Sequence, residues 1–443
     1  MDLIGKLADI IGLEDISATA ETLARYSIDG HLPQAVVYPW TVKDLAEVLH
    51  FADREGLKVA PAGAGTKLAI GNIPERVDLV ISTKRLNQVI EYEPADLTAV
   101  VSAGCSWKDF YRITSQNGQF VPIDPLGSDE ATLGGIISTN SYGPLRLFYG
   151  APRDYVIGIK VAHADGTLTK GGGKVVKNVA GYDMNKLYVG ALGTLGIVTE
   201  MAFKLRPIPQ SQATSQITSD DLGKLCLLIG SVLNSQLLPH SIELVDGRSV
   251  RVLDAHAGGA PWTLFVRFGE GHEAVEYQLS VLEKKVQEIG RMQIERMSER
   301  EATRLWQSVR SFEELFCAQL VIRVSIRKSR LQEAVVRCDD LLRQAELDYA
   351  LLAHAGDAVV RLYVRGLQET EENIGHLVKI VKDLREYVRL TRGSVVISRA
   401  PVALKRVIDV WGLTGETASI MRAIKESFDP RHTLNPGRYI VGI

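Results

Sequence analysis

The chain has little of what most quickly assigns a function. Its 443 residues include four cysteines, Cys105, Cys226, Cys317 and Cys338, and none forms a Cys-x-x-Cys pair. That spacing excludes the usual sequence signatures of zinc ribbons and cysteine-ligated iron–sulfur clusters, so the four read as reduced core thiols. An excess of one charge is also missing. With 51 Lys+Arg against 53 Asp+Glu the net charge is -2, which argues against nucleic acid or an anionic membrane as the main partner. No run approaches the roughly 18 apolar residues of a spanning helix, and MDLIGKLADIIGLEDIS has acidic residues where a secretory leader has basic ones. The expectation is a cytoplasmic protein without a transmembrane segment. Any membrane association would be peripheral, to the inner membrane, through partners.

What is present is glycine in particular places. The stretch PAGAGTKLAIGN, Pro61 to Asn72, combines small residues with a lysine and a threonine, a composition suited to holding an anion. It is not a nucleotide P-loop, because Gly63, Gly65, Thr66 and Lys67 come in the wrong order. A dinucleotide fingerprint would need glycine at Leu68. The flanks explain it better. TVKDLAEVLHFADREG predicts an amphipathic helix with Thr41 as N-cap, Asp44 completing a capping box and Gly56 ending it. LKVAP then predicts a strand running into the glycines, and VDLVIST another strand after them.

A second unit repeats the logic. LTAVVSAG predicts a strand, Ser106 with Asp109 a capping box, and Gly118 a helix end. In PLGSDEATLGGIISTNSYGP, Thr132 caps a helix opening with Leu133, Gly134 and Gly135, small enough for a ligand to touch the backbone at a helix N-terminus. YVIGIKVAHA, a turn at Asp165-Gly166 and a return strand follow, then a glycine-dense region in which Lys174 and Lys177 read as solvated loop residues. Pro207 and Pro209 mark a boundary near residue 210. Beyond it, strands such as WTLFVRFGE, AQLVIRVSIR and VVRLYVRG alternate with helical stretches, predicting an α+β domain over 211–400 and a helical segment with an extended tail over 401–443.

The succession PAGAGTKL, LGGIISTNSYGP, GAPRDYVIGIKV and KNVAGYDMNKLYVGALGTLGIVTE resembles the FAD-binding domain of the vanillyl-alcohol-oxidase, or PCMH, type. The C-terminal SVVISRAP, VIDVWG and FDPRHTLNPGR narrow the resemblance to the FAD-binding E subunits of bacterial glycolate oxidases and their relatives. It implies an α+β fold: an FAD domain of two α+β subdomains over 1–210, an α+β cap over 211–400, and a C-terminal segment returning to the FAD domain. It also implies that two glycine-rich loops hold the FAD pyrophosphate by backbone amides. Carried over by motif, Ala62, Gly63, Ala64, Gly65, Thr66 and Lys67 form the first loop, and Thr132, Leu133, Gly134 and Gly135 the second, with Pro125 preceding it. Ser138, Asn140 and Gly143 would lie along the ribityl chain and flavin, and Ile197 and Val198 at the adenine end. No histidine or cysteine lies between Val59 and Asn72, so the FAD is expected to be noncovalent.

Relatives that oxidise 2-hydroxy acids carry His-x-Gly-Asp-Gly-Asn-x-His in the second domain. Here HAGDAVVR keeps His354, Gly356 and Asp357, whereas Arg361 replaces the second histidine, so no bound metal is expected. Arg310 stands where the resemblance implies an arginine against a substrate carboxylate, and His354 is the available base; against these, Arg310 also reads as a salt-bridge residue and His354 as a satisfied core histidine. Arg323 and Arg327 alternate onto one face of a strand, where two cations could line a carboxylate pocket; against this, the pair reads as a solvated strand face. Three functions are open. The first is an FAD subunit of a glycolate or D-lactate dehydrogenase complex, working with a second FAD-binding subunit and an iron–sulfur subunit on a small 2-hydroxy acid. The others are a self-sufficient, metal-free dehydrogenase of another carboxylate and a flavin-binding scaffold that does not turn over.

Overall fold

The computed structural model describes residues 3–173, 182–255, 259–413 and 416–443; Lys174 and Lys177 lie outside them. Near the N-terminus, β1 (Ala35–Val37), α1 (Val42–Arg54), β2 (Val59–Ala62) and β3 (Leu79–Ser82) form an α/β unit. Both halves of the capping box at Thr41 and Asp44 are made, and Leu45, Leu49 and Ala52 bury the apolar stripe of α1. β1 and β2 flank β3 in parallel, and the two-residue strand Ile16–Ser17 adds an antiparallel edge. Parallel pairing sends the chain out of β2 at one end of the sheet, where the first glycine loop begins.

The second unit comprises β4 (Val89–Glu93), β5 (Thr98–Ser102), α2 (Trp107–Ser115), α3 (Leu133–Ser138), α4 (Arg146–Tyr149), β6 (Val156–Ala162), β7 (Leu168–Gly172) and β8 (Ile197–Lys204). Its five strands run antiparallel in the order β4-β5-β8-β6-β7. At α2 the Ser106 hydroxyl accepts from the Asp109 amide as expected, but the Asp109 carboxylate accepts from the Ser106 hydroxyl at 2.8 Å instead of from its amide, so only half of the capping box forms.

From Ser211 the chain builds an antiparallel sheet of eight strands: β9 (Ser211–Ser219), β10 (Ser241–Asp246), β11 (Trp262–Glu270), β12 (Gln293–Arg296), β13 (Leu320–Ser325), β14 (Asp348–His354), β15 (Val359–Arg365) and β16 (Ser394–Arg399), ordered β12-β9-β11-β10-β14-β15-β13-β16. The helices Leu222–Leu233, His272–Ile289, Leu331–Gln344 and Glu371–Leu390 cover one face with an aliphatic core that includes Leu228, Leu282, Val335 and Leu384. The opposite face is covered in part by the helix Glu299–Arg310, whose Trp306 and Val309 pack with Phe265, Leu352 and Tyr363. The remainder of that face meets α4 and the segment before it.

The C-terminal tail returns to the first unit. Leu434 bridges Val59 in parallel and the Asn435 amide donates to the Val59 carbonyl at 2.8 Å. Lys425 is buried beneath this return, donating to Asp429 at 2.6 Å and to the Thr194 and Leu434 carbonyls at 2.8 and 2.9 Å.

Candidate flavin site

The first glycine loop leaves β2 and faces the N-terminus of α3, and their contact is tight. A Cβ on Gly63 would stand 1.9 Å from the Thr132 hydroxyl, which itself caps α3 by accepting from the Gly135 amide at 3.3 Å. A Cβ on Gly134 would stand 2.8 Å from that of Ala103. These two glycines are needed for close approach, whereas Gly65 is needed for its φ of +79°, since a Cβ there would meet Leu68 and Tyr26 only at an ordinary 3.6 Å. Ser82 and Thr83 donate to the Gly63 and Ala62 carbonyls at 3.1 and 3.3 Å, fixing the loop from β3.

The cleft between the loops is lined by Pro61–Leu68, by Thr132, Gly134, Gly135 and Ser138, by Leu192 and Gly193, and by Ile197 and Val198. Its floor comes from the tail, residues that the motif reading did not select: the Asn435 amide group donates to the Leu192 carbonyl at 2.6 Å, and the Arg438 guanidinium donates to the carbonyls of Leu68 and Ile70. The signal for both was present in LNPGR. Burial pushes the Arg438 guanidinium down to about 10 and the Lys67 ammonium down to about 8. No carboxylate lines this cleft among the described residues, while Lys67 and Arg438 both do. Small residues that let a ligand reach the backbone of the first loop, two cations and the absence of acid fit a diphosphate.

Of the residues expected at the cofactor, Ala62 to Lys67, Thr132, Gly134, Gly135, Ser138, Ile197 and Val198 line this cleft. Leu133 is buried beneath it. Pro125, Asn140 and Gly143 lie outside its lining, beside it: Lys67 Nζ donates to the hydroxyl of Ser141 at 2.5 Å, Asn140 has φ +47° and an unpartnered buried Oδ1, and a Cβ on Gly143 would strike the Asp124 carbonyl at 2.3 Å.

Beyond Lys67 the cleft meets the eight-stranded sheet. Antiparallel register sets Glu243 on β10 opposite His354 on β14, and Arg361 on β15 opposite Arg323 on β13, so four ionisable side chains form a row across one face. His354 Nδ1 lies 2.5 Å from Glu243 Oε1, and Arg361 Nε donates to His354 Nε2 at 3.2 Å. A guanidinium only donates, so Nε2 accepts and the ring proton sits on Nδ1, facing Glu243. Burial, with the Arg361 charge second, pushes His354 down to about 3. Burial, reinforced by Asp357, holds the Glu243 carboxyl well above its usual range.

His354 is therefore a neutral imidazole with both ring nitrogens engaged, which removes it as a free base. Arg310 takes the salt-bridge alternative. Its Nε donates to the Pro125 carbonyl at 3.2 Å and its Nη2 to Asp129. It lines a separate cleft of about 800 Å³ with Arg267, His240 and Trp306. The fork that would grip a substrate carboxylate instead ties the sheet domain to the segment preceding α3. Arg323 departs from its solvated reading, with a buried Nε, while Arg327 is exposed as expected. No group of three or more potential metal ligands occurs among the described residues. No helix of the described residues is long and apolar enough to cross a membrane.

Comparison with known proteins supplies the family. Residues 33–172 match the FAD binding domain model, and residues 208–439, more than half of the chain, match the model for the C-terminal domain of FAD linked oxidases. Among curated proteins, the chain is 27% identical to glycolate oxidase subunit GlcD of Bacillus subtilis, covering 99% of this chain and 96% of that protein. It is 26% identical to the D-2-hydroxyglutarate dehydrogenase of Xanthomonas citri pv. viticola, over 92% of this chain and 89% of the relative. The D-lactate dehydrogenase of Archaeoglobus fulgidus is likewise 26% identical, over 91% of each chain. Among solved structures, substrate-bound p-cresol methylhydroxylase superimposes with a TM-score of 0.80 over 98% of this chain and 95% of that one, at 16% identity, a likeness of fold. With the diphosphate cleft and the matched models together, the chain belongs to the FAD-linked oxidases.

Proposed function

We propose that this chain is the FAD-carrying subunit of a 2-hydroxy-acid dehydrogenase complex acting on glycolate or D-lactate. Noncovalently bound FAD would supply the electron acceptor for oxidation of the hydroxy acid, and the complex would include a second flavoprotein subunit and an iron–sulfur subunit to receive the electrons. The glycine loops, Lys67 and Arg438 hold the diphosphate, and Ser141 with the 140–143 segment flanks the flavin end.

One observation carries the assignment to a subunit. Oxidising a hydroxy acid requires a base for the hydroxyl proton. The motif histidine has no free lone pair, because Glu243 and Arg361 engage both nitrogens. Proton removal then falls to the partner that completes the complex, and the reading resembles the E subunit more than a self-sufficient dehydrogenase. The test is anaerobic. The isolated flavoprotein is mixed with glycolate and then D-lactate while its flavin absorbance is followed. The flavin is expected to stay oxidised until a dehydrogenase partner is added. Bleaching by either hydroxy acid alone would overturn the subunit reading in favour of the metal-free dehydrogenase.

A further inference from the structure

Three guanidinium groups meet beside the flavin cleft without a carboxylate to neutralise them. Arg361 and Arg323 project from directly opposed positions on β15 and β13. Arg146, from α4, lies 4.2 Å over the ring of Tyr142, and Tyr142 also hydrogen-bonds Arg323. The approach of α4 to this sheet is close: a Cβ on Gly356 would stand 2.5 Å from Leu147. Among the described residues, no carboxylate lies within ion-pair distance of Arg146, Arg323 or Arg361, whereas Arg399 on β16 of the same sheet pairs with Glu313. Arg323 Nε is buried and has no hydrogen-bond partner.

Like charges on opposed strand positions destabilise a sheet, and a buried donor left unpaired destabilises it further. Such an arrangement is retained only where something else satisfies it. A small carboxylate has the needed chemistry, since two oxygens can accept from two forks at once. The cluster lies near Lys67, whose ammonium senses the Arg361 charge, so an anion bound there adjoins the cofactor cleft.

We infer that Arg146, Arg323 and Arg361 form a binding site for a small carboxylate, with Glu243 as a positioning residue that acts through His354. Glu243 accepts the Nδ1 proton, which leaves Nε2 as the acceptor that aims Arg361. The apolar neighbours Leu352 and Val321 on the same sheet face offer Arg361 no acceptor from their side chains. This inference uses the flavin cleft of the proposed function but not its catalytic claim, because an anion can bind here whether or not this chain turns over.

The experiment uses the purified flavoprotein and oxalate, a dicarboxylate with no C–H bond to oxidise. Oxalate is titrated while the flavin difference spectrum is recorded, with potassium chloride and inorganic phosphate at matched ionic strength as controls. A saturable spectral shift with oxalate, absent with chloride and at least about tenfold weaker with phosphate, is expected. Arg323→Met and Arg361→Met should each weaken oxalate by at least about tenfold with flavin content unchanged, the scale of one lost charge-assisted bond. Glu243→Gln should weaken it severalfold, and Glu243→Asp should restore part of the affinity, which a merely structural role would not do. No shift with oxalate, an equal response to chloride or phosphate, or arginine variants that bind oxalate normally would each overturn the site. Loss of flavin from both arginine variants, with normal thermal stability, would also overturn it by assigning the cluster to the cofactor. Bleaching by glycolate in the wild-type chain would refute the proposed subunit role and leave this inference intact.

Discussion

Replacing Gly63 by alanine tests the cradle at its tightest point. The added methyl carbon would stand 1.9 Å from Thr132 Oγ1 and 3.0 Å from Thr132 Cβ and Cγ2. Rotating the threonine away removes its N-cap bond to the Gly135 amide, worth about 1 kcal/mol. Rotation leaves the Cβ contact, so the loop must also shift, and overpacking of this kind costs about 1–3 kcal/mol. The stability loss should total about 2–4 kcal/mol. Displacing one loop amide from the diphosphate forfeits a charge-assisted hydrogen bond of about 1.5–3 kcal/mol, so FAD should bind about 10- to 150-fold more weakly. Flavin content after gel filtration, FAD titration by fluorescence quenching and thermal melts of the apo chain measure all three quantities. Thr132→Ala in the same chain removes the hydroxyl and the methyl group, so the double variant should be less damaged than the sum of the single ones. Wild-type FAD affinity and melting temperature in Gly63→Ala, or strict additivity in the cycle, would refute the reasoning.

Two further outcomes follow from buried cations. Lys67 is held near 8 instead of 10.5 by burial, so the folded apo chain binds fewer protons there than the unfolded chain between those values. Stability should therefore rise with pH across that window by up to about 3 kcal/mol relative to Lys67→Met, and urea melts of the two proteins at pH 7.5 and 9.5 giving parallel slopes would contradict this. Lys425→Met removes the cation paired with Asp429, which is fully buried and also accepts the Thr433 and Leu434 amides. Stranding that carboxylate should cost about 3–5 kcal/mol in urea unfolding, and a loss below about 1 kcal/mol would show that the pair is not carrying the tail.

Much of the local chemistry was legible in the chain itself. The caps at Thr41 and Thr132, the helix ends at Gly56 and Gly118, and the strands flanking both glycine segments depend on residues within one or two turns of each other. Their hydrogen bonds therefore follow from short-range geometry. The ordered glycine motifs pointed to FAD for the same reason: an amide cradle needs small residues at set positions and little else.

Tertiary structure decided the rest, because it depended on partners far away in sequence. Gly63 tolerates no side chain because the Thr132 hydroxyl occupies the space beside it. The two readings of Arg310, substrate ligand and salt-bridge residue, are separated only when Pro125 and Asp129 are brought against it. Glu243, His354, Arg361 and Arg323 lie on four strands, and a shift of one residue in any pairing would turn a side chain to the opposite face. Register, set by burying the aliphatic face under four helices, converts a degenerate histidine motif and an unremarked glutamate into a locked imidazole beside the guanidiniums of Arg361 and Arg323.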